Sequence, residues 1–268
     1  MGCMTSCMSP KVAELDKSLK TGDERAALLK LAACPKLLSS TAVLSSAGVT
    51  PLHVACQSKQ VKLVQHIVAF LHCSELDVVR QALLPYCRRA AVPLPGCVTE
   101  GVRMAVDLPN AKGQTPLMYA CFADCPELVK MLLEEGADPW VGDRCGGRTP
   151  LHYAAMSGSG GCIDTLLRHL PPASLSRQGT RYVNAPSRCG LTPLHYAVYF
   201  GRLGAMRALL EQDAALNTPS GAESYDVGVR AGRTCEAGSA PLHFAAVRGD
   251  VAAARELLRG YSQRLSWG

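Results

Sequence analysis

Aromatic residues are scarce in this chain: two Trp, four Phe and eight Tyr make up 5% of its 268 residues. Its core therefore cannot rest on large rings, and Leu, Ala, Val and Met must fill it. Small side chains of that kind suit tight gaps between stacked helices. Long apolar runs are missing as well. The nearest candidate, residues 61–71, is interrupted by Lys62, Gln65 and His66, so nothing reaches the 18 or so apolar residues that a membrane-spanning helix needs. No apolar stretch of the secretory type opens the chain. Lysine and arginine are nowhere clustered with interleaved aromatics, which argues against nucleic acid as a partner. No Cys-x-x-Cys, Gly-x-Ser-x-Gly, phosphate-cradling glycine loop or His-Glu-x-x-His occurs either.

What is present describes a folded interior. Hydrophobic residues make up 48% of the chain, too many for disorder. Its 13 cysteines are odd in number and show no disulfide framework. Without a secretion signal they predict a reducing, cytoplasmic setting with most thiols free in the core. The formal charge is +6, and the excess lies in the second half: from Arg144 onward there are 14 Arg, no Lys and 8 acidic residues. An arginine-rich surface suits acidic protein partners or anionic lipid headgroups.

A pattern then recurs. Thr50-Pro51-Leu52-His53, Thr115-Pro116-Leu117-Met118, Thr149-Pro150-Leu151-His152, Thr192-Pro193-Leu194-His195 and Ala240-Pro241-Leu242-His243 share one frame. A hydrophobic residue and an alanine follow each. Gly158, Gly201 and Gly249 come next in three copies, and a second apolar helix is predicted after that. Proline in the first turn of a helix loses no hydrogen bond, and threonine before it is placed to cap the helix and meet the histidine one turn on. Glycine past the end accepts the left-handed conformation that stops a helix. Four histidines at one frame position are architecture, whereas a catalytic base would be singular. Cys56 and Cys121 fall on core alanine positions of the frame, where buried thiols behave as small hydrophobes. Catalytic residues, metal ligands, cofactors and small-molecule substrates are therefore not expected.

These residues resemble the ankyrin repeat in signature and in its period of roughly 33 residues. The resemblance covers residues 47–260 and implies an all-α ankyrin-repeat solenoid of about six helix–turn–helix repeats with loop insertions. Residues 11–34 read as a degenerate first repeat with the polar outer helix of a cap. The expected organisation is a flexible, acylated leader over 1–10, the repeat domain over 11–260, and a tail or truncated next repeat over 261–268. Motif starts at 50, 115, 149, 192 and 240 are unevenly spaced, which predicts insertions. Residues 74–106 read either as a repeat that has lost its signature or, by a slight preference, as a surface excursion, helical over 74–91 and looped at Pro93-Leu94-Pro95-Gly96. Two loops, 171–183 and 219–238, are expected to project from one side.

Ankyrin proteins recognise partners with loop tips and the exposed ends of first helices. That resemblance implies partner contacts at Ala111, Lys112, Gln114, Phe122, Arg148, Met156, Ser157, Arg188, Leu191, Tyr199, Phe200, Val247 and Arg248. Phe122, Met156, Tyr199, Phe200 and Val247 would form a stripe flanked by Arg148, Arg188 and Arg248, residue types that anchor interfaces. At the N-terminus, Met1-Gly2-Cys3-Met4-Thr5-Ser6-Cys7 fits an N-myristoylation signal at Gly2, with Cys3 and Cys7 placed for palmitoylation. Two such signals together anchor a chain stably, here at the inner face of the plasma membrane.

The Met-Gly start, the Gln114–Ala120 repeat, the Arg181-Tyr-Val-Asn184 lead into Gly190–His195 and the long loop before Gly238–Ala245 resemble a narrower family. It is the ankyrin half of plant-type, membrane-associated ankyrin–RING E3 ubiquitin ligases. That resemblance implies protein substrates such as a membrane receptor or kinase. A RING needs paired Cys/His zinc ligands, and none follow Cys235. Two functions remain open: a membrane-tethered, non-catalytic adaptor, or the substrate-recruiting part of a ligase whose RING lies outside these residues.

Overall fold

A computed structural model of the chain describes residues 10–39, 48–170, 172–221 and 237–265. Among them are fourteen α-helices and one antiparallel pair of two-residue strands, β1 (Ser176–Arg177) and β2 (Thr180–Arg181). The all-α expectation holds. The chain divides into two units, Met1–Pro116 with Glu135–Ala137, and Leu117–Glu134 with Asp138–Gly268.

The first unit contains α1 (Pro10–Thr21), α2 (Glu24–Ala33), α3 (Pro51–Gln57), α4 (Val61–Cys73), α5 (Leu76–Ala90) and α6 (Val98–Val106). The side chain of Asp23 caps α2 by accepting from the Ala26 N–H at 3.0 Å. Leu15, Leu19, Ala27 and Leu31 close the core of this first helical pair. Helix α2 packs on α4, and α4 on α6, forming an outer row. The 74–106 insertion is more than an excursion of loop. Its helices α5 and α6 pack on each other and bury Val79, Ala82, Leu83, Cys87, Val102, Ala105 and Val106. Gly101 makes that approach possible, because a Cβ there would lie 2.3 Å from Cγ1 of Val79.

The second unit takes α7 (Pro116–Phe122) from its second residue onward. It continues with α8 (Pro126–Glu134), α9 (Pro150–Ser157), α10 (Gly160–His169), α11 (Pro193–Tyr199), α12 (Leu203–Glu211), α13 (Pro241–Arg248) and α14 (Val251–Leu265). Here α8, α10, α12 and α14 stack in sequence as an outer row, and α9, α11 and α13 as an inner row. Short inner helices follow from the signature: proline starts each one, and a left-handed residue eight positions later ends it. Gly158, Gly201 and Gly249 do this at φ of 92°, 65° and 66°, while Lys59 and Asp124 hold the equivalent position at 54° and 56° without being glycine.

Histidine ties one repeat to the next. In His53, His152 and His195, Nδ1 accepts the backbone N–H of the threonine three residues earlier, at 3.2, 3.0 and 3.1 Å. A ring nitrogen that accepts from an amide carries no proton, so Nε2 carries it and donates onward. The recipients are the carbonyls of Gln114, Leu191 and Ser239 at 2.8, 3.0 and 3.2 Å, each just before the next signature. The bridge from His53 spans 61 residues, against 39 and 44 for the others, because it reaches past the whole α5–α6 insertion.

The loop over 171–183 is anchored more firmly than a projecting loop would be. Trp140 Nε1 donates to the Ser174 carbonyl at 2.7 Å, and the Arg177 guanidinium lies 5.4 Å from the Trp140 ring centre. Tyr182 and Val183 are buried, and the Tyr182 hydroxyl donates to the Pro139 carbonyl at 2.9 Å. Of the second expected loop, 222–236 lies outside the described residues. Its flanks are pinned: Gly221 N donates to the Cys189 carbonyl at 2.8 Å, and Ser220 N to the Ser239 carbonyl at 3.0 Å.

Burial lowers the basicity of His53, His152 and His195 from the ordinary 6.5 to about 4, against a smaller raising effect of the carbonyl each one meets. Unfolding therefore takes up protons between those values. Folding stability should be complete above pH 6.5 and lost as pH falls towards 4. At a pH of about 5 each histidine should cost about 2 kcal/mol relative to neutral pH. Urea unfolding monitored across this range checks it; equal midpoints at neutral pH and at a pH of about 5 would show that these rings are not held neutral.

Candidate functional site

The inner helices of the second unit end side by side, and their last exposed residues form a face. Phe122 ends α7 and is 57% exposed, with its ring edge-on to Tyr153 at 6.4 Å between centroids. Met156 and Ser157 end α9, Tyr199 ends α11 with Phe200 beside it, and all four are half-buried. The rings of Tyr199 and Phe200 meet edge-on at 5.1 Å. Val247 is 54% exposed at the end of α13. Each of these residues lies at the C-terminal end of an inner helix whose earlier turns supply buried residues such as Leu117, Leu151, Leu194 and Phe244.

Three neighbours seal the carbonyls that these helix ends would otherwise leave open. The Ser157 hydroxyl donates to the Cys121 carbonyl at 3.2 Å, Arg202 Nε to the Met156 carbonyl at 3.0 Å, and Arg248 Nη1 to the Tyr199 carbonyl. Arg248 also lies over the Tyr199 ring at 5.9 Å. Arg188 is exposed, and its Nη1 donates to the Arg144 carbonyl at 2.7 Å. Helices α7, α9, α11 and α13 contain no acidic residue and no lysine, whereas every outer helix of this unit carries at least one carboxylate.

Several expected contact residues are placed elsewhere. Arg148 is buried: its Nε meets Asp143 Oδ2 at 2.7 Å, and its guanidinium lies 5.5 Å from the Tyr153 ring centre. Burial alone would raise the Asp143 carboxyl, but the Tyr153 hydroxyl, the Gly146 N–H and Arg148 outweigh it and hold Asp143 below the usual carboxylate range. This is an internal ion pair stitching the 143–153 loop, and its arginine has no charge to offer a partner. Leu191 is also buried, and its carbonyl receives the His152 bridge. Gln114 is half-buried and held by Asn110 at 2.9 Å, while its carbonyl receives the His53 bridge. Ala111 and Lys112 are exposed on a turn of the first unit. Gly2, Cys3 and Cys7 lie outside the described residues.

Arg202 went unpredicted. It lies just past the helix-ending Gly201, formally at the start of α12, and only its reach back to the preceding repeat brings it onto the face. His243 keeps the first half of the bridge: its Nδ1 accepts the Ala240 N–H at 3.0 Å, and its ring is exposed. Cys56 and Cys121 are fully buried, as their frame positions predict. Among the described residues no group of three or more His, Cys, Asp and Glu is arranged to hold a metal, and no helix is long and apolar enough to cross a membrane.

Comparison with known proteins agrees with this architecture. The family described as ankyrin repeats matches three times, over residues 27–174, 140–220 and 175–264. The ankyrin-repeat domain of Bcl-3 superposes with a TM-score of 0.53 at 24% identity, covering 80% of this chain and 73% of that one. Human ankyrin repeat domain-containing protein 63 is 29% identical over 152 residues, 54% of this chain and 38% of that protein. The human transient receptor potential cation channel subfamily A member 1 is 27% identical over 140 residues, 49% of this chain and 12% of that protein. The putative E3 ubiquitin-protein ligase XBAT31 of Arabidopsis thaliana is 38% identical over 80 residues, 29% of this chain and 18% of that protein. The chain thus spans well under two thirds of the length of these curated relatives. Signature, histidine bridges, paired helical rows and family match coincide, and the chain belongs to the ankyrin-repeat family.

Proposed function

We propose that this chain is a non-catalytic adaptor that captures protein partners on the inner-helix face of its second unit. The observation that carries the reading is the row Phe122, Met156, Tyr199, Phe200 and Val247, which is left exposed or half-buried while the helices beneath are closed. Exposed apolar and aromatic groups flanked by arginine are the side chains that anchor protein interfaces. The cytoplasmic side of the plasma membrane is the proposed location, resting on Gly2, Cys3 and Cys7, with a membrane receptor or kinase as the kind of partner available there.

A second reading is favoured by one specific likeness. XBAT31 and the probable E3 ubiquitin-protein ligase XBOS33 of rice are each 38% identical, over 80 and 74 residues. On this reading the chain recruits substrates for ubiquitination by a RING carried outside these residues. Sequencing the full-length transcript separates the two readings. Paired zinc-binding Cys and His codons in the same frame support the ligase, and a full-length frame without them supports the adaptor.

Selection from a random peptide display library tests the face. Enriched peptides should bind the wild-type chain and bind the double variant Tyr199→Ala, Phe200→Ala at least about tenfold more weakly, as befits interface anchors. The thermal midpoint should fall only a few degrees; a collapse would mean that both rings are core. Selected peptides that bind the variant unchanged would remove the face from the account. For the anchor, Gly2→Ala should move the protein from the membrane fraction to the soluble fraction, and unchanged fractionation would refute it.

A further inference from the structure

Arginines in this chain are held in two different ways. Arg148, Arg177 and Arg207 pair with Asp143, Asp138 and Glu256, which neutralises them. Arg202 and Arg248 are held by the carbonyls of Met156 and Tyr199 and form no ion pair among the described residues. Asp250, the nearest acid along the chain from Arg248, spends one carboxylate oxygen capping α14 through the Ala253 N–H at 2.9 Å. A carbonyl fixes a guanidinium without cancelling its charge, and it leaves the remaining N–H donors free for a carboxylate. The two arginines come from different positions of the frame, Arg202 past Gly201 and Arg248 before Gly249, but reach corresponding carbonyls, each six residues after the proline that starts the preceding inner helix. Because α9, α11 and α13 pack as neighbours, their sites repeat at the helix spacing of about 8–10 Å. Between and beside them stand Met156, Tyr199 and Phe200.

We infer that the inner-helix face binds an extended acidic segment of a partner protein, with a carboxylate at every third position and apolar residues between. This rests on the proposed face and adds the chemistry of its occupant. A polyproline II strand advances about 3.1 Å per residue with three residues per turn, so every third side chain returns to one side after about 9 Å. That period matches the helix spacing. A β-strand would instead turn the third side chain to its opposite face. With no acidic residue in α7, α9, α11 or α13, these helices themselves carry nothing that repels such a ligand.

The probe is a fluorescein-labelled peptide of four Glu-Pro-Leu repeats, read by fluorescence polarisation. It should bind the wild-type chain, weaken with added salt, and bind Arg202→Gln, Arg248→Gln at least about tenfold more weakly. Arg202→Lys, Arg248→Lys should retain most of the binding, which separates charge from fold. A Gln-Pro-Leu peptide that binds as well as the probe would overturn the acidic preference. So would failure of the probe to bind wild type at all. In either case display-selected peptides that still need Tyr199 and Phe200 would leave the face itself standing. Vesicles rich in phosphatidylserine that bind through the same two arginines and displace the probe would make a lipid surface the occupant, and would also overturn the inference.

Discussion

The structure depends on a neutral imidazole that accepts at one nitrogen and donates at the other. His53, His152 and His195 each take an amide proton from their own helix start and give a proton to the carbonyl that opens the next signature. Both ring nitrogens are thereby satisfied in a fully buried site, which is the condition for burying a polar ring without penalty. A protonated ring would turn Nδ1–H towards the threonine amide that now donates to it, leaving only the threonine hydroxyl, at 2.7–2.9 Å, to accept. Burial opposes protonation separately, because a charged ring in these sites would lose its hydration.

Because these bridges and the alanine-lined contacts between helices hold the stack, the helix tips carry less of the packing and are left half-buried or exposed. On the proposed function, that is where specificity enters. The tips of α7, α9, α11 and α13 differ from repeat to repeat while their first turns scarcely do. Arginines from one repeat close the helix of the repeat before, so the same contact that finishes the backbone hydrogen bonding also sets a row of fixed positive charges. Scaffold and surface are joined at those carbonyls.

The frame was legible in the sequence because Pro, His and Gly are each demanded by one backbone requirement. Less was legible where a requirement can be met in more than one way. Lys59 and Asp124 end helices in the left-handed conformation that glycine fills elsewhere, and nothing in their type announces it. The α5–α6 insertion carries no signature, since its burial comes from ordinary aliphatic residues such as Val79 and Val102. Arg148 illustrates the opposite error: its frame position places it beside the face, but Asp143 five residues earlier draws it inward. Arg202 was missed because its side chain acts one repeat away from its place in the chain. Short-range periodicity reveals helices, while the destination of a long flexible side chain depends on what lies opposite it in space.

The central claim is that three neutral, singly protonated histidines join the repeats. Nitrogen-detected NMR of the imidazole rings at a pH of about 6 tests it directly. His53, His152 and His195 should appear as the Nε2–H tautomer with slowly exchanging ring protons, while the exposed ring of His66 exchanges rapidly. Rapid tautomer averaging of the three buried rings, or their titration near 6.5, would contradict the account.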